Sequence, residues 1–281
     1  MTIENQTKSD LLLVESDAGV YTVTINRPKQ RNALNPELLG QLTDTFRGFA
    51  DNPDVRVVVL RGAGEQAFSA GYDIGSLPDR ALTGADERRG EVAKPNEFSL
   101  RSNPFQTVIH AVSECQVPTI ALVYGYAYGG GSELAATCDI RICAENAKFA
   151  SVPAKLGVVY GPAGLQVFIN LIGLSRAKYM FFSGRPFDAR KCLEMGLADE
   201  VLPLDEVESF TYALAHEIAD NAPLSIRGSK FIFNKLVAKH SLDEAELDEC
   251  ELLQARAYSS EDLGEGRRAF AEKRKPVFQG R

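Results

Sequence analysis

Through the first two-thirds of the chain, short apolar runs alternate with segments of helical period; beyond Pro203 the helical period stands alone. Leu11–Val14 and Val20–Ile25 flank Asp17-Ala18-Gly19, and the alternation in YTVTI predicts an opening β-hairpin. After a polar loop, Asn35-Pro36-Glu37 supplies an N-cap, a first-position proline and a first-turn acid. The helix they start carries Leu38, Leu39, Leu42, Phe46 and Phe49 on one side and stops at Asn52-Pro53. Val55–Leu60 reads as a buried strand. Phe105–Cys115 reads as a helix that feeds Thr119–Val123, whose nearly continuous apolar run suits a strand buried on both faces. Asp139–Cys143 and Lys148–Ala150 are further strands, and Ser151–Gly157 is a loop. Helices follow from Gly161-Pro162 to Ile172, over Arg176–Phe182 behind Ser175, and over Asp188–Met195 before Gly196; Val201 and Leu202 add a small strand. Helical segments then cover Asp205–Asn221, Leu224–Lys239, Leu242–Tyr258 and Glu261–Lys273. Strands mixed with helices, then helices alone, predict an α/β core over residues 1–203 and an α-helical segment over 204–281. Between Ser76 and Phe105 the chain is polar and broken by proline and glycine, as in a lid beside a pocket or a variable surface excursion.

Composition narrows the class. The 281 residues are 44% hydrophobic and 25% charged, ordinary for a water-soluble globular chain. A net charge of −7 lacks the clustered positive charge that nucleic-acid binding requires. The five cysteines are scattered without CxxC spacing, which indicates neither a disulfide framework nor a zinc site and fits a reducing compartment. The start MTIENQTKSD has neither signal-peptide nor transit-peptide character, and no apolar run approaches membrane-spanning length. A cytoplasmic location without membrane partners is expected.

The densest chemistry lies between Pro118 and Ile140, PTIALVYGYAYGGGSELAATCDI. Gly129-Gly130-Gly131 separates a buried strand from a helix start, so bare amides at a positive helix end can approach a ligand oxygen. Glu133 sits in that helix's first turn. The bland reading is a tight turn with an acid complementing the helix dipole. Upstream, Gly62-Ala63-Gly64-Glu65-Gln66-Ala67 imitates a dinucleotide fingerprint, but Phe68-Ser69-Ala70-Gly71-Tyr72-Asp73 is too short and glycine-bound for the helix that motif needs. A turn at Ser69-Ala70-Gly71 can instead present a second amide, and two such donors make an oxyanion hole. Neither a GxSxG nucleophile elbow nor a metal-ligand cluster is present, and only three histidines could serve as bases.

With RPKQRNALN, AFSAGYDI, YGYAYGGGSELAATCDI, AKFASVPAKLG, SGRPFDARKCLEMGLADEV, APLSIRGSK and SSEDLGEGRRAFAEKRKPVFQGR in this order, the chain resembles the enoyl-CoA hydratase/isomerase (crotonase) family from end to end. The resemblance implies a spiral of repeated ββα units, with C-terminal helices that complete a homotrimer or a dimer of trimers. It implies an acyl-CoA substrate, coenzyme A entering only as part of it with no separate cofactor or metal. It places an oxyanion hole on the amides of Ala70 and Gly130, with Gly71, Tyr72 and Asp73 beside the substrate, and aligns Glu133 with the first of two hydratase glutamates. Lys273 and Lys275 are placed near the CoA phosphates or, equally, on a solvated helix end.

One departure matters. The column of the second hydratase glutamate holds Pro153, or Ala154 with a shift of one, and neither handles a proton. Three routes remain open: hydration with Glu133 alone, assistance from a tyrosine such as Tyr128 or Tyr160, or a single-carboxylate reaction such as isomerisation, decarboxylation or C–C cleavage. A CoA-binding protein that lost its chemistry is the competing class.

Overall fold

A computed structural model describes residues 11–50, 52–73, 103–238 and 243–279. The hairpin is β1 (Leu12–Asp17) and β2 (Val20–Ile25), followed by a 3₁₀ turn at Pro28–Gln30 and by α1 (Pro36–Gly48), whose first turn is capped by Asn35 Oδ1 accepting the Leu38 N–H at 2.9 Å. Then come β3 (Val57–Gly62), β4 (Ala67–Ser69), α2 (Pro104–Ser113), β5 (Thr119–Val123), β6 (Tyr126–Tyr128), α3 (Gly130–Thr137), β7 (Ile140–Ala144), β8 (Lys148–Ala150), α4 (Pro153–Leu156), α5 (Pro162–Ser183), β9 (Phe187–Asp188), α6 (Ala189–Met195) and β10 (Glu200–Leu202). The C-terminal helices are α7 (Val207–Asp220), α8 (Pro223–Ala238), α9 (Glu244–Tyr258) and α10 (Glu261–Ala271).

The strands form a six-stranded sheet in the order β1-β2-β3-β5-β7-β10 and a four-stranded sheet in the order β4-β6-β8-β9. Successive turns of the chain place β3, β5 and β7 in the first sheet, parallel, and β4, β6 and β8 in the second, also parallel. This is the expected ββα spiral. Alternate side chains of the large sheet feed two separate cores: Val58, Leu60, Ala121 and Val123 face α1 and α2, while Val57, Val59, Ile120 and Leu122 face α7 through Val207, Ala215 and Ala219. A strand with helices on both faces must be apolar at nearly every position, which accounts for the unbroken run in β5.

Several local expectations change. β4 and β6 are strands of three residues, too short for alternation to reveal. Pro153 starts a one-turn helix where a loop is expected, since a proline at the first helical position costs no hydrogen bond. The two helices expected between Pro162 and Phe182 are borne out: α5 is two helices that meet at Gly173, whose φ of 75° breaks the helix between them. Residues 204–281 do more than append helices: α7 closes the second core, and α10 lies against α4 of the spiral. The segment considered as a lid falls, up to residue 102, outside the described residues.

Candidate functional site

Two strand ends of the small sheet meet here. Ser69 ends β4, and Tyr128 ends β6 just before Gly129, whose φ of 52° turns the chain into α3. The turns are pressed together until no side chain fits between them. A Cβ on Gly71 would stand 2.5 Å from the Tyr128 carbonyl oxygen and 3.1 Å from the Gly130 nitrogen, and one on Gly131 would stand 2.3 Å from the Ser69 carbonyl oxygen. The triple glycine thus permits a backbone-to-backbone approach.

That approach decides which amides are available. The Ala70 N–H donates to the Arg31 carbonyl at 2.9 Å, so the expected oxyanion donor at Ala70 is already spent inside the fold. The Gly71 N–H donates to Ser69 Oγ at 3.1 Å and the Asp73 N–H to the Leu34 carbonyl at 2.9 Å. Among the described residues, the Tyr72 and Gly130 N–H groups have no acceptor. They adjoin, since a Cβ on Gly130 would lie 3.5 Å from the Tyr72 nitrogen. Gly130 is the first residue of α3, where an N–H has no partner within the helix. The amide available beside Gly130 is therefore that of Tyr72, two residues beyond Ala70. The Asp73 carboxylate accepts Arg27 Nη1 at 2.9 Å, within the fold.

Glu133, 1% exposed, lies one turn into α3. Its carboxyl rests against α5, where a Cβ on Gly164 would come within 2.4 Å of Oε1. Gln106 Nε2, from α2, donates to Oε1 at 3.4 Å. Burial pushes this carboxyl up to about 8, a shift that the Gln106 hydrogen bond only moderates. Glu133 is thus held mainly neutral at pH 7, able to donate a proton. Among the described residues no second carboxylate bears on it.

The Tyr160 hydroxyl reaches the turn from outside it: it lies 3.9 Å from the position a Gly129 Cβ would take, and its ring stands edge-on to Phe181. Burial first, then Glu133 and Tyr258, hold its phenol well above the ordinary value. Tyr128 is half-buried and stacked edge-on against Tyr126 at 5.1 Å. Lys273 and Lys275 are exposed beyond α10, and among the described residues no contact joins them to Tyr72, Gly130 or Glu133. Sequence reasoning did not find Gln106, Gly164 or Tyr258. Tyr258, at the end of α9, is within electrostatic range of Glu133 and Tyr72, and its phenol is raised chiefly by burial. No pattern links these positions to Glu133, which they reach only through the packing of α2, α5 and α9.

The described residues contain no group of three or more potential metal ligands and no helix long and apolar enough to cross a membrane. The family model for enoyl-CoA hydratase/isomerase matches residues 15–281. A Mycobacterium tuberculosis protein named "Probable enoyl-CoA hydratase" is 35% identical over 272 residues, which are 97% of this chain and 99% of the relative. The short-chain-enoyl-CoA hydratase of Clostridium acetobutylicum is 32% identical, over 94% of this chain and 95% of its own. Among solved structures, methylmalonyl-CoA decarboxylase in complex with 2-nitronate-propionyl-CoA superposes with a TM-score of 0.84 at 29% identity, covering 96% of this chain and 99% of that one. By sequence over nearly its whole length and by fold, the chain belongs to the enoyl-CoA hydratase/isomerase family of acyl-CoA-transforming enzymes.

Proposed function

We propose that the protein converts a coenzyme A thioester through an enolate, with the Tyr72 and Gly130 N–H groups donating to the thioester oxygen and Glu133 managing the proton on the adjacent carbon. The observation that carries this reading is the adjoining pair of amides without acceptors among the described residues, next to a buried carboxyl. Donors fixed in advance where negative charge develops need no reorganisation during the reaction. Hydration of a 2-enoyl-CoA is the first reaction, supported by the hydratase relatives at 35% and 32% identity. A neutral Glu133 can give its proton to C2 from one oxygen while the other takes a proton from the water that attacks C3. The carboxyl is then restored, and the product has gained one water.

Decarboxylation is the second reading, favoured by the neutral state of Glu133 and by likeness to a methylmalonyl-CoA decarboxylase. There the C–CO2 bond breaks, its electron pair passes into the enolate, Glu133 protonates the carbon, and solvent returns the proton to Glu133. This step uses one carboxyl only. In either reaction Tyr160 is an auxiliary group beside the turn, coenzyme A enters as part of the substrate, and no separate cofactor takes part.

The protein is further proposed to work in the cytoplasm, in keeping with the four described cysteines, all buried thiols. It is proposed to assemble as a homotrimer or dimer of trimers, as suits the apolar residues exposed along α8. The deciding experiment is to incubate the protein with short 2-enoyl-, 3-enoyl- and malonyl-type CoA thioesters and weigh the products. Gain of water identifies a hydratase, loss of carbon dioxide a decarboxylase, and a rearranged product of unchanged mass an isomerase. Binding with no product from any of them rejects the catalytic reading.

A further inference from the structure

The Tyr72 amide is useful only if its direction is fixed, and the residues that fix it lie in the loop 26–34. Arg31 and Asn32 both adopt positive φ, 51° and 56°, a conformation non-glycine residues keep only where surroundings impose it. Asn32 is fully buried. Its Oδ1 accepts the Arg27 N–H at 3.0 Å, and its Nδ2 donates to the Ala67 carbonyl at 2.7 Å and the Ala63 carbonyl at 3.1 Å. The loop is thereby tied to both ends of the β3–β4 turn.

From this base it grips the segment that carries Tyr72. The Arg31 carbonyl takes the Ala70 N–H, the Leu34 N–H reaches the Gly71 carbonyl at 2.8 Å, and the Leu34 carbonyl takes the Asp73 N–H. Arg27 closes the ring, donating from Nη1 to both the Ala33 carbonyl and the Asp73 carboxylate. Both atoms of that ion pair sit in side chains less than a quarter exposed, 13% and 24%, so water screens it weakly. The segment is held on either side of Tyr72, which leaves the Tyr72 N–H without an acceptor among the described residues and its nitrogen beside Gly130.

We propose that Arg27, Asp73 and Asn32 are positioning residues that splint the Tyr72 amide into line with the Gly130 amide, so that the oxyanion hole is set by an ion pair outside it. This rests on the reading of that amide pair as the oxyanion hole. It also gives Asp73 a function other than substrate contact.

The test reads carbonyl polarisation directly. Butyryl-CoA labelled with carbon-13 at the thioester carbonyl has nothing to hydrate or lose, and its infrared stretch falls in frequency when two donors engage the oxygen. With wild-type protein the band shifts down on binding. In Arg27→Met the shift shrinks and kcat falls about 10- to 100-fold for whichever thioester is turned over, the cost of a misaimed donor, while butyryl-CoA affinity stays nearly unchanged. Arg27→Lys recovers part of the shift. Asp73→Asn, of unchanged shape, gives the same loss and serves if Arg27→Met does not fold. Folded variants that retain both the full shift and the full kcat overturn the splint. No shift in wild type overturns the oxyanion reading itself, and the splint with it.

Discussion

Glu133 is the residue on which pH acts. In the unfolded chain its carboxyl titrates near 4.5, and burial in the native state raises it to about 8. The native state therefore binds the proton more tightly. The stability this contributes is complete below about pH 4.5 and is lost as pH rises through about 8, because ionising the native carboxyl means charging a buried group. Glu133→Gln carries no such term. Urea unfolding of both proteins between about pH 5 and about pH 9 is expected to show wild type losing ground to the variant by up to a few kcal/mol; parallel curves would mean that Glu133 ionises normally. Turnover of wild type should fall above about pH 8, where the acid form is depleted, and Glu133→Gln should lose orders of magnitude in kcat with little change in substrate affinity. Gly164 is tied to the same carboxyl. A Cβ there would lie 2.4 Å from Oε1, so Gly164→Ala must push Glu133 aside. Overpacking of this kind costs about 1–3 kcal/mol, and the expected signature is a drop in kcat larger than any drop in thioester binding, measured on protein that still unfolds cooperatively.

At the level of elements, α8 is held to the spiral by a buried cation. Lys230 Nζ donates to Asp139 Oδ2 at 2.6 Å and to the Val117 carbonyl at 2.9 Å, and Asp139 Oδ2 also accepts the Thr119 N–H and hydroxyl. The pair joins the start of β5 to the end of α3, the two flanks of the strand–turn–helix that carries Gly130 and Glu133. Lys230→Met would leave the Asp139 carboxylate without its cation. A loss of about 2–3 kcal/mol in urea unfolding is expected, below the figure for fully buried pairs because Asp139 is a third exposed. Apolar period and caps sufficed to read α1, β3, β5 and most of the helices, because each is long enough to bury a face. β4 and β6 escaped notice because three residues carry no period, so of the second sheet only Lys148–Ala150 was read. The site was half legible: Gly130 and Glu133 announce themselves by glycine and acid at a helix start. The choice of Tyr72 over Ala70 depends on which amide the Arg31 carbonyl has already taken, and that is tertiary information. Gly164 illustrates the same limit, since nothing in sequence says which carboxyl a glycine makes room for.

For the whole molecule, the question is which parts of the C-terminal segment serve the site and which serve assembly. α9 and α10 return to their own chain: Tyr258 comes within range of Glu133, and α10 rests on α4. α8 behaves differently. It buries Lys230 against the spiral but leaves Leu224, Phe231, Ile232, Phe233 and Leu236 more than half exposed, and clustered exposed apolar side chains are what an interaction surface presents. If that face is the proposed trimer contact, Phe231→Glu combined with Phe233→Glu should convert a light-scattering mass of three or six chains to that of one, because burying unpaired carboxylates in an interface is prohibitive. Since Tyr72, Gly130, Glu133, Tyr160 and Tyr258 all belong to one chain, the dissociated protein should still bind butyryl-CoA and still shift its carbonyl band. A wild-type protein that is monomeric removes the assembly proposal. A dissociated variant that no longer binds the thioester would show instead that a neighbouring chain completes the pocket.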